Sequence, residues 1–372
     1  MTRTGGRLSF VVRAVVVFMF MLSSLNAALP EPLTKEEAER AAADIETFLA
    51  ENMTAPCGAV TVNAVRDRPV IAGEARNGDL LSESIGQMME LALLRDDRNA
   101  FAAQLEALHA FLGPSGLPAW KISGTEKAAD SATIDDLRIA DACFQAARRW
   151  PDLGAERIAA PIARVLAAAA VNGVFPAALS LSEGRGKASV IPLCYLMPGT
   201  LGRLAANEPA LVPAAEEALR LSLADRKHAG LPPRQYDPVT PQWIHGPCDE
   251  QLSLITLREI QAVHPSNEDV RQGIRRRLAD FRRRGHLPES YHSETGADME
   301  APGGATVHAM FARLLLAAGY REDAARALRV SLSFQRATPP FARAIGSAPV
   351  FSFDQLEVLL GLADFLRAPG AD

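Results

Sequence analysis

Aromatic residues are scarce in this chain, at 6% of 372 positions. Cysteine is scarcer still: Cys57, Cys143, Cys194 and Cys248 are all there are. Four scattered thiols make no disulfide scaffold, and without a CxxC pair they offer no zinc spacing. One pair could bridge in an oxidising compartment, and the spacing leaves open which. Excess positive charge is missing too. The formal net charge is −5, so the chain lacks the basic footprint that nucleic acid requires. No fixed period repeats along the chain, which argues against an open solenoid. Period-two alternation is nearly absent: the one stretch that suggests a strand pair is "GAVTVNAVRDRPVIAG", beginning at Gly58. The apolar run from Ala14 to Leu22 is too short to span a bilayer. "SEGRGK", from Ser182 to Lys187, is no phosphate loop and reads as a hairpin tip.

What is present begins with Arg3, Arg7 and Arg13, then that apolar run, then small and polar residues. This is the layout of a secretory signal peptide, expected to cover residues 1–28 with cleavage near Ala27 or Ala28. The expected destination is the periplasm or the exterior. Loss of three arginines would take the net charge to about −8. Residues 29–372 are expected to form a single domain. At 48% hydrophobic and 22% charged, the chain has an ordinary folded composition.

Apolar residues recur at three and four almost throughout, which predicts helices. "TKEEAERAAADIETFLAENM" opens with Thr34 and carries Glu37 three residues on, the signature of a capping box. "RNAFAAQLEALHAFLG" is expected to stop at Gly113, and "IDDLRIADACFQAARRW" is closed by Pro151. Eight further segments read the same way, from "SIGQMMELALLRDD" to "FSFDQLEVLLGLADFL". Paired helices without a repeat, joined by loops of unequal length, predict an all-α fold: helical hairpins closed into an α/α barrel.

Four junctions stand out. Ser82-Glu83 opens a helix, with Ser82 a good N-cap and Gly86 placed to let another group come close. Trp120 lies upstream of Asp135-Asp136, which also begin a helix. Tyr195 sits between turn prolines in "IPLCYLMPGTLGRL". Trp243, His245 and Asp249 share "WIHGPCDEQLSLI". Carboxylates at helix starts, mixed with Trp and Tyr, suit sugar chemistry, because aromatic faces stack on pyranose rings and two carboxylates cleave the glycosidic bond. The plainer reading is that Glu83 complements a helix dipole and that Asp249 and one of Asp135 and Asp136 are caps. His245 reads as a solvated loop histidine, and "RQGIRRRLADFRRRG" as a solvated helix face.

The order and spelling of these segments resemble glycoside hydrolase family 8, especially its periplasmic cellulase branch associated with cellulose and exopolysaccharide synthesis. "LSESIGQMM" resembles the family's acid-bearing Ser-Glu-Gly stretch. "LPAWKISG…DSATIDDLRIADACFQAARRW" resembles its Pro-Ala-Trp segment followed by Asp-x-Asp. "IPLCYLMPGTLGRLA", "GPCDEQLSLI" and "LPESYHSETG…APGGATVHAMFARLL" resemble three further segments in the family's order. The resemblance implies an (α/α)6 barrel, with Glu83 as general acid and Asp249 as general base of an inverting hydrolase. The carboxyls would stand roughly 6.5–9.5 Å apart. Trp120, Tyr195 and Asp136 fall on positions that line the substrate cleft, and Trp243 and Asp135 are added as substrate-binding candidates.

The departures are local. Ile134 stands where the family has an aspartate that grips the sugar, and Asp135 would stand in for it if the loop shifts. Cys248 replaces the tyrosine before the base, and Leu252 replaces an arginine. The expected activity is an endo-acting glycosidase on β-linked glucan or exopolysaccharide, with no cofactor and no metal. The expected partners are the polysaccharide and, beyond it, a synthase or export complex, with the chain itself a monomer. The alternative is a degenerate relative that binds polysaccharide without cleaving it.

Overall fold

The structure, a computed structural model, describes residues 29–64, 78–187, 189–224, 228, 230–299, 301–339, 341–346 and 350–370. The expected signal segment and the second half of the expected strand pair lie outside them. Twelve α-helices occur among the described residues. They are α1 (Lys35–Asn52), α2 (Ser82–Arg95), α3 (Arg98–His109), α4 (Thr133–Arg149), α5 (Glu156–Ala169) and α6 (Pro198–Ala205). The second half comprises α7 (Val212–Leu223), α8 (Glu250–Val263), α9 (Glu268–Arg284), α10 (Ala305–Ala317), α11 (Arg321–Leu332) and α12 (Ser352–Arg367). Helices α2, α4, α6, α8, α10 and α12 each touch the next, and α12 returns to touch α2, which closes a ring. The other six pack outside it, each against an inner neighbour. The fold is an (α/α)6 barrel.

Local sequence accounts for these elements. The capping box of α1 forms: the Glu37 amide donates to Thr34 Oγ1, and the Thr34 amide donates to Glu37 Oε2 at 2.9 Å. Ala38, Ala41, Ala42, Ile45, Phe48 and Leu49 follow on its buried face at helical spacing. Gly285, at φ 76°, ends α9. The third helix stops at His109, four residues short of the expected Gly113. A Cβ on Gly113 would lie 2.9 Å from Leu181 Cβ, so that glycine serves a close approach between loops.

Helix α6 was not foreseen, because it is only eight residues long and carries Pro198, Gly199 and Gly202. Tertiary packing explains it. A Cβ on Gly199 would come within 2.8 Å of the Glu259 carbonyl, so glycine is what lets α6 lie against α8.

The core forms two clusters, one from α1 and α8–α12, the other from α2–α7. Ile134 is half-buried and packs on both. Each fully buried Leu or Phe contributes about 1.5–3 kcal/mol.

Short β pairings sit where each inner helix begins. Strand β1 (Leu80–Leu81) leads into α2 and pairs antiparallel with β2 (Lys121–Ser123), Leu81 opposite Lys121. Beyond it lies β3 (Glu126–Lys127). Strand β4 (Ile191–Pro192) precedes α6 and pairs with β5 (Gln235–Asp237), which pairs with β6 (Gln242–Ile244). Strand β7 (Pro247–Asp249) leads into α8 and pairs with β8 (Ser290–His292), Asp249 opposite Ser290. Single bridges at Asp130, Pro302 and Phe351 do the same before α4, α10 and α12. In the stretch expected to hold a strand pair, Thr61 bridges Leu80 and Asn63 bridges Phe351. The six inner N-termini are thereby pinned at one end of the barrel.

Two surface expectations change. The arginine-rich α9 is not simply a solvated face, since Arg277 is fully buried and forms a two-pronged ion pair with Glu250. The four cysteines are free thiols, with only Cys57 exposed.

Candidate active site

The pinned mouth gathers most of the expected residues. Strand β1 delivers the chain to α2, whose N-cap is Leu81, with no side-chain cap bond. Ser82 is therefore the first helical residue and not the cap. Its amide donates to the Trp120 carbonyl at 3.1 Å, and its hydroxyl donates to Asp135 Oδ2 at 2.7 Å. One buried serine thus ties Trp120, the start of α2 and the start of α4 together beside Glu83. Gly86 admits the α4 neighbour: a Cβ there would lie 2.9 Å from Arg138 Cδ. Arg138 in turn reaches Asp135, with Nη1 and Oδ1 3.7 Å apart.

Neither Asp135 nor Asp136 caps α4, whose N-cap is Ala132 without a side-chain bond. The two carboxylates point to different surroundings. Asp135 faces Ser82 and Arg138. Asp136 takes no place on a cleft wall: it is fully buried, where Ser131 Oγ donates to its Oδ2 at 2.6 Å. The helical turn separates neighbours by about 100°, which sends these adjacent acids to different partners.

Electrostatics singles out Glu83. Burial, reinforced by the negative charge of Asp135 and only partly offset by Arg138, raises its pKa from 4.5 to about 8. Asp135 is raised too, by burial, with Arg138 and the Ser82 hydroxyl pulling the other way. The half-buried Tyr195 feels the charges of both Asp135 and Glu83, after a larger effect of burial, and its pKa rises to about 12. Glu83, Asp135, Arg138, Tyr195 and the Trp120 backbone therefore form one neighbourhood.

Asp249 stands on a more open part of the same end. It is exposed, its Oδ1 accepts the Gln251 amide at 2.8 Å as the cap of α8, and its charge is felt by Cys194, next to Tyr195. Its second carboxylate oxygen is left to solvent or ligand. Cys248, in place of an aromatic, is buried, with Sγ 3.3 Å from Ser253 Oγ. Trp243 is half-buried and lies on Tyr236 of β5, ring centroids 4.6 Å apart. His245 contacts Ser293 Oγ at 3.3 Å through Nδ1.

Sequence reading missed Arg138 and Glu357. Arg138 follows Asp135 by three residues, a spacing that pairs charges on a helix. Glu357 interrupts the apolar pattern of α12. It is 2% exposed, accepts Gln87 Nε2 at 2.9 Å, and adds to the field that keeps Glu83 protonated. Among the described residues no cluster of three His, Cys, Asp or Glu side chains could hold a metal ion. The arrangement offers a carboxyl raised by burial at the start of α2 and a separate, exposed carboxylate at the start of α8.

No family model matches the chain. A Bacillus subtilis (strain 168) protein named "Putative lipoprotein YdaJ" is 27% identical over 231 residues, 60% of this chain and 61% of that protein. The chain thus matches about three fifths of the length of this curated relative. Among solved structures, an α-amylase from Clostridium perfringens superposes with a TM-score of 0.79 at 21% identity, over 87% of this chain and 98% of that one. The endoglucanase Cel10 from Klebsiella pneumoniae, a family 8 glycosyl hydrolase, superposes with a TM-score of 0.60 at 16% identity, over 86% and 98%. Both structural likenesses cover more than four fifths of the chain, and the chain resembles glycoside hydrolase family 8 in its barrel as it does in its motifs.

Proposed function

We propose that the protein is an exported, endo-acting, inverting glycoside hydrolase. Glu83 donates a proton to the leaving glycosidic oxygen, and Asp249 activates water from the opposite face of the sugar. The observation that carries this is Glu83 itself, a carboxyl whose surroundings keep it protonated up to about pH 8, as a general acid requires. Asp249 complements it, because its exposure leaves water within reach. Asp135, held by Ser82 and Arg138, takes the role of the sugar-gripping aspartate that Ile134 lacks. Trp120, Tyr195 and Trp243 supply stacking surfaces along the cleft.

The substrate is a β-linked glucan or exopolysaccharide, acted on during synthesis or export, with the chain working as a monomer beside a synthase or export complex. The glucanases among the similar structures, including an endo-β-1,4-glucanase from Acetobacter xylinum, support the β linkage. The α-amylase, which superposes with the higher TM-score, favours an α-glucan as the second reading. Export rests on the N-terminal segment and on the lipoprotein name of the Bacillus relative.

The test is a reducing-end assay of the mature chain on carboxymethyl cellulose, mixed-linkage β-glucan, amylose and the native exopolysaccharide. Release from a β-glucan with inverted anomeric configuration supports the proposal. Release from amylose alone transfers it to α-glucans. Binding without release from any of the four leaves a polysaccharide-binding relative and refutes the enzyme.

A further inference from the structure

The inner helices carry a second charged region that runs from Arg138, beneath the cleft, toward the C-terminal ends of α2, α4, α8 and α12. These helices and the start of α6 line a cavity of about 230 Å³, the space of about eight waters at ~30 Å³ each. Its wall includes three carboxylates, and each is already engaged. Glu90 pairs with Arg313, Asp141 pairs with Arg203 at 2.8 Å, and Glu259 Oε2 accepts the Thr200 amide at 2.8 Å. Five arginines share the same wall, and three are likewise committed: Arg203 to Asp141, Arg149 to Asp96 at 2.6 Å, and Arg138 toward Asp135. Arg258 and Arg367 remain. Neither makes a hydrogen bond or ion pair with the described residues. Arg258 is half-buried on α8, and Arg367 is exposed at the end of α12.

A guanidinium inside a barrel without a hydrogen-bonded partner is costly. Burial and the neighbouring Arg313 weaken the hold of Arg258 on its proton, while Glu90, Glu357 and Glu259 act in the other direction. Helix C-termini also attract cations, but that attraction fades within the last turn. Arg367 lies in the last turn of α12, whereas Arg258 sits five residues before the end of α8. The dipoles therefore do not explain Arg258.

We propose that this cavity binds a small tetrahedral oxyanion of the phosphate or sulfate class, with Arg258 as its inner clamp and Arg367 as its outer one. A guanidinium fork matches two oxygens of such an ion, and two uncommitted guanidiniums beside the single unneutralised carboxylate of Glu259 leave the wall net positive toward it.

The experiment is calorimetric titration of the mature chain with inorganic phosphate, and separately with sulfate, at low ionic strength, together with melting temperatures. No sugar is involved, so the result is separate from that of the hydrolysis assays. One saturable site is expected, with a rise in melting temperature as it fills. Arg258→Gln should weaken binding about tenfold or more, and Arg367→Gln about threefold. Arg164→Gln, on the outer helix α5, should leave binding unchanged. Without anion, Arg258→Gln should melt no lower than the parent, since it relieves repulsion from Arg313. Absence of saturable binding up to ~10 mM, or undiminished binding by both Arg258→Gln and Arg367→Gln, would overturn the proposal. A melting temperature several degrees lower in Arg258→Gln without anion would also refute it, by showing that Arg258 serves Glu90 and Glu357 as a structural countercharge.

Discussion

Glu83→Gln separates an acid from a helix-capping charge, because the two roles predict opposite changes in stability. Gln is a neutral near-isostere of protonated Glu. In the folded protein Glu83 keeps its proton to about pH 8, while in the unfolded chain it releases it near 4.5. Between those limits the folded state binds more protons, so the contribution of Glu83 to stability falls as pH rises through this window. A tenfold change in proton affinity is worth about 1.4 kcal/mol, which bounds the full penalty near ~5 kcal/mol. Because Asp135 titrates in the same field, the pair shares that figure, and a value of about 3 kcal/mol is the working expectation. Urea unfolding at pH 5 should therefore give nearly equal stabilities for parent and variant. At pH 9 the variant should be the more stable by about 3 kcal/mol. Turnover should fall by at least ~100-fold throughout, since an amide cannot protonate a leaving alkoxide. A first-turn acid that only complements the dipole predicts the reverse: a loss of about 0.3–1 kcal/mol in the variant at neutral pH and an unchanged rate. A variant less stable than the parent at pH 9 would refute the reasoning.

Other perturbations address neighbouring links. Asp249→Asn should abolish turnover while changing stability by less than ~0.5 kcal/mol, because Asn caps a helix about as well as Asp; hydrolysis rate and urea midpoint on one preparation check both. Gly199→Ala should cost about 1–3 kcal/mol, since its Cβ would meet the Glu259 backbone at 2.8 Å; an unchanged melting temperature would show that α6 can back away from α8. Glu250→Ala leaves the fully buried Arg277 without its carboxylate and should cost about 3–5 kcal/mol in urea unfolding, with Arg277→Met in the same background recovering much of it.

Periodicity alone made eleven of the twelve helices legible, because each carries an apolar stripe long enough to be read without knowing its partner. Helix α6 was illegible for a physical reason. Its two glycines and leading proline argue against a helix locally, and only contact with α8 turns them into an advantage. The β pairings before the inner helices were hidden in the same way, since two or three residues are too few to show alternation.

Around the candidate site, the residue types stood in the chain but their partners did not. Ser82 reads as a cap and instead donates to Asp135, fifty-three positions away. Asp135 and Asp136 read alike, and helical rotation sends one toward Arg138 and the other into the core. Helical phase and hairpin order are local properties, so the sequence by itself determined an all-α barrel of paired helices and the acids at its helix starts. Proton affinity and orientation depend on charges and backbone brought near by ring closure. Only the tertiary structure therefore decided that Glu83 holds its proton, that Arg138 and Glu357 share its field, and that Arg258 lines the inner cavity without a hydrogen-bonded partner.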